Sequence, residues 1–318
     1  MATPFLFALR RRFPESRITL LSRDYAAEVF RRNVAIDSLV VCSARIRSRL
    51  AAARGASPRN GFDACFVLSP SFSAALLSAL SNARRRIGYG GQGREMFLTD
   101  VLSPSLYRAG HLSRSYLRLL ERFTGREEET LDLPSVIPSD SWQETAAAVA
   151  VGKPYFVLAP GATYGSSKVW PHERYAALAR RIGAKTGWVA AIMGRGVERE
   201  EAAAMLRSIA GEGRNLAGAL SLVESISALR GARIVIGNDS GPVHVSAALG
   251  VPTVAIFGPT SVDWTAPRGV SVRIIREAME CVPCFKRRCP HGVPECLARI
   301  EVDAVYASAM SLIEEGSR

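Results

Sequence analysis

The sequence predicts an α/β protein of two doubly wound halves, and three observations carry that prediction. Short apolar runs rich in β-branched residues recur without internal alternation, the pattern of strands buried on both faces of a parallel sheet. Helical stretches separate these runs, as crossover connections between parallel strands require. The alternation breaks once, in an acidic stretch with two prolines between Arg126 and Asp140, and then starts again. The clearest unit is Ile234–Pro259, IVIGNDSGPVHVSAALGVPTVAIFGP, which reads as strand, polar loop, helix, strand. Its polar residues fall at the carboxyl end of the first strand, the edge where open α/β sheets bind ligands. Asp239 and Ser240 stand where the helix begins. They read either as a helix cap or as part of a site where backbone N–H groups receive an anionic or sugar oxygen.

In chain order, Thr3–Phe13 has helical spacing, with Phe5, Leu6, Leu9 and Phe13 on one side, and stops at Pro14. A strand over Arg17–Leu21, a helix over Tyr25–Arg32, a strand over Ser38–Cys42 and a basic helix over Ile46–Arg54 follow. Gly61-Phe62-Asp63 leads into Ala64–Leu68, read as a buried strand, and the loop from Ser69 to Ser73 opens a helix over Ala74–Leu80. Arg84–Tyr89 reads as a strand with basic flanks, and Leu112–Phe123 as a helix. Arg126–Asp140, with Pro134 and Pro138, is the candidate linker. The short helix around Trp142–Val149 fits either side of it. The second half restarts with a strand over Tyr155–Leu158, a small-residue loop over Ala159–Lys168, a helix over His172–Thr186 and a strand over Trp188–Met193. Helices over Glu198–Ala210 and Leu222–Leu229 precede the unit at Ile234. The expected organisation is two Rossmann-like domains, residues 1–140 and 150–300, with a cleft between them. A C-terminal helix in residues 301–318 is expected to pack back on the first domain.

One element is missing from the pattern. A doubly wound half begins on a strand from which its first helix crosses over, and that strand is central. This sequence begins on the helix, so a misplaced start or a missing piece of about a strand and a turn is expected to hold the first strand of the N-terminal domain, against the alternative of a genuine truncation.

Composition narrows the function. The 318 residues are 48% hydrophobic, enough for two real cores, and no apolar run approaches the ~20 residues of a membrane helix. The apolar N-terminus is followed, not preceded, by Arg10-Arg11-Arg12, which is not a signal-peptide order, so a cytoplasmic protein is expected. A net charge of +12 favours anionic partners. No zinc-finger spacing, RNP-like aromatic stretch or single basic recognition helix is present, so nucleic acid is not the expected partner. A phosphate-rich or membrane-borne substrate suits the charge better.

Several motifs together resemble one family. They are Pro160-Gly161-Ala162 through Lys168-Val169-Trp170-Pro171, Asn215-Leu216-Ala217-Gly218, Asn238 through His244, and Phe257-Gly258-Pro259-Thr260. In this order the chain resembles the ADP-heptose:lipopolysaccharide heptosyltransferases, most closely the heptosyltransferase II-like branch. Thr3-Pro4 with Leu9-Arg10, and Arg86-Ile87-Gly88-Tyr89, extend the similarity over essentially the whole chain. The resemblance implies a GT-B fold, with the nucleotide-sugar donor on the C-terminal domain and the lipid A-core acceptor facing the N-terminal one at the inner membrane surface. It implies that Lys168 contacts donor phosphate, a task suited to a point charge on a small-residue loop. Thr163 shares that loop and joins the substrate-binding residues. Asp239 matches a residue that binds sugar hydroxyls, Ser240 and Gly241 offer N–H groups to the diphosphate, and His244 lies near the pyrophosphate. Leu220 lines the adenine pocket, and Glu198 or Glu201 holds the ribose. Arg84, Arg85 and Arg86 are candidate acceptor-phosphate contacts, against the alternative of a solvated basic turn.

The family's general base is an aspartate in a Gly-Asp pair just upstream of the Thr3-Pro4 match, so it is expected upstream of Met1. Asp24 and Asp63 do not replace it by spacing. General-base help is worth about 10²–10⁴-fold, so weak or no transfer is expected from these 318 residues, with donor binding retained. The implied reaction is inverting transfer of heptose from ADP-L-glycero-D-manno-heptose to the inner core of lipopolysaccharide. No cofactor is needed for that step, and no Asp-x-Asp metal motif occurs. A donor-binding relative without turnover, and a transferase for another nucleotide sugar, are the alternatives. Cys281, Cys284, Cys289 and Cys296, with His291 among them, have a spacing that supports either a structural zinc or iron–sulfur site or free thiols. Cys42 and Cys65 sit in apolar runs and read as core.

Overall fold

The computed structural model describes residues 1–129, 140–209 and 212–316. The chain divides into two compact units, Met1–Ser135 and Val136–Arg318. Most of the candidate linker, including Pro134 and Pro138, lies outside the described residues.

Unit 1 runs α1 (Thr3–Arg12), β1 (Thr19–Arg23), α2 (Asp24–Phe30), β2 (Ser38–Cys42), α3 (Ile46–Ala56), β3 (Phe62–Val67), α4 (Phe72–Leu80), β4 (Ala83–Tyr89), β5 (Asp100–Leu102) and α5 (Leu112–Thr124). Pro4 in the first turn of α1 suits a position whose N–H has no helical partner. All described strand pairs are parallel, but they form two separate sheets, β1-β2 and β3-β4-β5. Helices α1 and α5 pack together over them, and an edge-to-face series of rings ties the elements: Phe5 to Phe66 at 5.2 Å, Phe66 to Phe123 at 5.5 Å and Phe123 to Phe13 at 5.8 Å. The basic run after the apolar N-terminus is spent internally, since Arg12 grips the buried Glu128 at 2.8 Å and Arg10 pairs with Asp37 at 2.5 Å. β3 is half-buried rather than buried. An apolar run sets the strand, but burial needs a covered sheet on both faces.

Unit 2 runs α6 (Trp142–Ala150), β6 (Tyr155–Ala159), α7 (His172–Thr186), β7 (Val189–Ile192), α8 (Arg199–Ser208), β8 (Gly213–Asn215) and α9 (Leu222–Gly231). It continues with β9 (Val235–Asn238), α10 (Gly241–Ala248), β10 (Thr253–Phe257), α11 (Val262–Thr265), β11 (Val272–Arg276), α12 (Glu295–Ala298) and α13 (Val302–Glu315). Its six strands form one parallel sheet in the order β11-β10-β9-β6-β7-β8. Every residue of β6, β7, β9 and β10 is buried. Phe156, Leu158, Ile192, Ile236 and Ile256 point to one face, under residues of α7, α8 and α13. Phe257 and Ala255 point to the other, against Val243 of α10. The helix at Trp142 belongs here, packed on α9. The C-terminal helix α13 buries Val305, Ala309 and Leu312 in the core of unit 2, on α7, β10 and β11. That sheet face carries long apolar side chains and is where an amphipathic helix gains most from burial. No described helix is long and apolar enough to cross a membrane.

Candidate functional site

The strand order of unit 2 locates its site. From central β6 the chain winds outward through β7 and β8, then returns to β9 on the other side and winds outward through β10 and β11. The carboxyl ends of β6 and β9 therefore flank a topological switch point, the crevice where such sheets bind ligands. The loop 160–168 leaves β6 there, and Asp239-Ser240-Gly241 leaves β9 beside it.

Asp239 is the hub of this crevice. Its side chain is 4% exposed, and three donors converge on it. Lys168 Nζ lies 2.5 Å from Oδ2, Thr260 Oγ1 donates to Oδ2 at 2.7 Å, and His244 Nε2 stands 3.1 Å from Oδ1. Burial alone would push the carboxyl pKa up. The His244 hydrogen bond, the Lys168 charge and hydrogen bond, and the Thr260 hydroxyl outweigh it and hold Asp239 at about 2. It is an anion over the physiological range and a poor proton acceptor. Lys168 also donates to the Asp239 carbonyl at 3.3 Å and lies 4.8 Å from the Tyr164 ring centroid. An ammonium has three N–H donors, and Asp239 takes two of them.

Neither Asp239 nor Ser240 caps α10 through its side chain. Ser240 occupies the N-cap position with extended backbone and no side-chain cap bond, and its Oγ is buried without a partner. An orphaned buried hydroxyl costs about 1–3 kcal/mol, and here it sits beside the N–H groups that open α10. A Cβ on Gly241 would meet nothing within 4 Å, so the space in front of that helix start is open. Open space, first-turn N–H groups, an unpaired hydroxyl and a lysine together suit an anion with several oxygens.

Asn238 holds the two loops in register, a role the sequence reading did not assign. It is fully buried, its Oδ1 accepts from Trp170 N–H at 3.1 Å and Tyr175 O–H at 3.0 Å, and its Nδ2 donates to the Pro160 carbonyl. A polar residue closing an otherwise apolar strand was the available signal. Burial drives the Tyr175 hydroxyl pKa well up, which keeps it a neutral donor.

The flanking candidates separate. Glu198 accepts from the Arg195 N–H at 2.7 Å and from its guanidinium at 2.9 Å, and a Cβ on Gly161 would collide with its carboxylate. It thus lies against the β6 loop at the sheet edge, whereas Glu201 is exposed on α8. Leu220 is half-buried just after Gly218, whose φ of +67° and contact with the backbone of Gly196 admit no side chain. Thr163 is exposed on its loop.

The three arginines of the unit 1 triplet differ in what their side chains touch. Arg85 pairs with Asp100 at 2.6 Å and lies 4.6 Å from the Phe123 ring centroid; Arg86 donates to the Phe97 and Ala83 carbonyls at 2.7 and 2.8 Å. Both brace β4. Arg84 alone extends outward, 3.7 Å from the exposed Asp63. All three sit at the amino end of β4, opposite the ligand edge of a parallel sheet. Of the cysteines, Cys42 is buried as expected and Cys65 is half-buried. The other four border one cavity behind the loop 160–168, and no three described His, Cys, Asp or Glu stand at metal-holding spacing.

Comparisons with known proteins agree with this architecture. The model of glycosyltransferase family 9 (heptosyltransferase) matches residues 56–293. Lipopolysaccharide heptosyltransferase 2 of Salmonella typhimurium is 28% identical over 268 residues, covering 80% of this chain and 76% of that protein. The solved ADP-heptose heptosyltransferase II of Escherichia coli shares the fold, with a TM-score of 0.83 at 22% identity over 100% of this chain and 95% of that one. An E. coli heptosyltransferase solved with ADP-2-deoxy-2-fluoro heptose has a TM-score of 0.70 at 19% identity, covering 99% of this chain and 95% of that one.

Proposed function

The chain belongs to glycosyltransferase family 9, and from that premise we propose that it transfers heptose from ADP-L-glycero-D-manno-heptose to the inner core of lipopolysaccharide, with inversion. One observation carries the donor half of this reading. Lys168, His244 and Thr260 converge on Asp239 at the switch point, beside an open helix start with an unpaired Ser240 hydroxyl. The diphosphate of ADP lies on the first turn of α10, taking Ser240 and Gly241 N–H groups and the third donor of Lys168. Asp239 orients that lysine and accepts from sugar hydroxyls, Leu220 lies on the adenine face, and Glu198 takes the ribose. Thr163 closes the loop side. That an E. coli heptosyltransferase of the same fold was solved with ADP-2-deoxy-2-fluoro heptose supports this assignment.

In the transfer, the acceptor hydroxyl attacks the anomeric carbon from the face opposite ADP. The bond to the diphosphate oxygen breaks, and its electron pair leaves on ADP. Lys168 and the helix-start N–H groups stabilise that charge as it develops, so the step calls on no resident metal. The acceptor hydroxyl proton goes to a base that we do not assign among these residues. Asp239 is held too acidic for the task and Glu198 is tied to Arg195. The second reading is a chain that binds the donor without turning it over. The positive net charge suits an acceptor at an anionic membrane surface on the cytoplasmic side.

Calorimetric titration with ADP, beside ADP release from ADP-heptose with heptose-deficient lipopolysaccharide, tests both readings. Lys168→Ala is expected to weaken ADP by roughly 10- to 100-fold, from the ~1.5–3 kcal/mol of a hydrogen bond to a charged group. Acceptor-dependent release supports transfer, and binding without release supports the second reading. No ADP binding to the wild-type chain overturns both.

A further inference from the structure

The clamp on Asp239 leaves the candidate site short of positive charge. Asp239 is held as an anion, and the Lys168 ammonium is engaged with it at 2.5 Å, so the pair carries no net charge. Both side chains are almost wholly buried. A donor diphosphate would add two negative charges beside that carboxylate, where uncompensated charge is costly. The N–H groups that open α10 supply only about half a unit of positive charge. The site therefore calls for a second cation.

One stands on the ring that already carries the first. Lys168 Nζ lies 4.8 Å from the Tyr164 ring centroid, and the Arg287 guanidinium carbon lies 5.6 Å from the same centroid. Both are within the ~6 Å over which an aromatic face attracts a cation. Arg287 is exposed, and among the described residues no carboxylate pairs with it.

The backbone that carries Arg287 is fixed to both arms of the clamp. Ser167, next to Lys168, donates its N–H to the Arg287 carbonyl at 3.3 Å and its hydroxyl to the Lys286 carbonyl at 2.5 Å. On the other arm, the Phe285 N–H donates at 2.9 Å to the carbonyl of Pro259, which precedes Thr260. The Tyr164 hydroxyl donates to the Phe285 carbonyl, so the residue whose ring meets the guanidinium also ties down the turn. A Cβ on Gly165 would collide with the Arg287 carbonyl, so this close approach needs a glycine. Phe285 has φ of +53°, a conformation unusual for an aromatic residue and kept only where the surroundings over-determine it. Residues 277–294 form neither helix nor strand, and these contacts give this part of the loop its order.

We propose that Arg287 is the second cation of the donor site and that its guanidinium holds the diphosphate together with Lys168. A guanidinium presents a planar fork of donors that matches two phosphate oxygens at once. Lys168 holds the diphosphate from the buried side, and Arg287 meets it from the exposed side. When ADP leaves, the diphosphate gains one more negative charge. Arg287 then binds it more strongly than in the intact donor, which is the differential that assists departure. This assignment rests on the donor reading above.

Titration of the full chain with ADP and with adenosine, which carries no phosphate, tests it. Arg287→Ala is expected to weaken ADP by roughly 10-fold, as for a hydrogen bond to a charged group, and to leave adenosine unchanged. Its guanidinium makes no hydrogen bond among the described residues, so the variant is expected to fold. Arg287→Lys is expected to recover most of the loss because the charge is kept, and Arg287→Gln is not. Arg288→Ala, at the exposed neighbour, is expected to bind ADP as the wild-type chain does. Unchanged ADP affinity in Arg287→Ala overturns the proposal. So does an equal loss of adenosine, which makes the role structural, or an equal loss in Arg288→Ala, which reduces it to general surface charge. Weakened ADP in Lys168→Ala with unchanged ADP in Arg287→Ala overturns Arg287 alone. Absence of ADP binding by the wild-type chain overturns the donor reading and this assignment with it.

Discussion

The two units are built from similar strands and arrive at different sheets. β2 (SLVVC) and β10 (TVAIF) are both short and apolar, yet β2 is only partly buried, with Val41 44% exposed, and β10 is buried throughout. β2 pairs with β1 alone among the described strands, whereas β10 lies between β9 and β11 in a six-stranded sheet with helices on both faces. The difference teaches that composition makes a strand, while position in a continuous, covered sheet decides how much stability it carries.

The sharpest way to break this comparison is a matched pair of core truncations. Leu158→Ala in β6 removes a fully buried side chain and is expected to cost about 2–5 kcal/mol. Leu20→Ala in β1 removes one that only partly packs on its core and is expected to cost about 1 kcal/mol. All four tryptophans, at 142, 170, 188 and 264, fall in unit 2, so tryptophan emission in a urea series reads Leu158→Ala, and the circular-dichroism transition that this emission does not follow reads Leu20→Ala. Equal losses in the two variants would mean that the sheets are equally supported.

A smaller effect concerns acid. Folding lowers the Asp239 carboxyl from 3.8 to about 2, so its stabilisation is present above about pH 4 and is lost as pH falls toward 2. By the conversion of 1.36 kcal/mol per unit this amounts to about 2 kcal/mol. Tryptophan-detected urea unfolding across that window is expected to show the decline in the wild-type chain and a flatter profile in Asp239→Asn. An identical slope in both would detach Asp239 from the stability of unit 2.

The smallest expected change is Arg84→Ala, within about 0.5 kcal/mol, because its ion pair with Asp63 is exposed on both sides. Arg85→Ala loses its bond to the mostly buried Asp100 and its packing on Phe123, and is expected to cost more. If tyrosine-detected unfolding of unit 1 ranks the two in the opposite order, the bracing role of Arg85 is wrong.

The sequence by itself determined the order of elements and the position of the ligand edge. Apolar runs with Gly and Pro stops mark β6, β9, β10 and the helices between them, because strand and helix each need a local pattern. It did not show β8, whose Gly213-Arg214-Asn215 has no apolar residue and becomes a strand only by pairing with β7. Nor did charge in the sequence distinguish Arg84 from Arg85 and Arg86, since partners such as Asp100 and the Phe97 carbonyl are matters of packing. At the site, the loops around Lys168 and Asp239 were legible as short polar stretches after strands. The clamp on Asp239 was decided only by tertiary structure, which brings in Lys168 from 71 positions away and Thr260 from 21. So was the placement of α13 on unit 2, because an amphipathic helix specifies that it must bury a face but not which surface covers it.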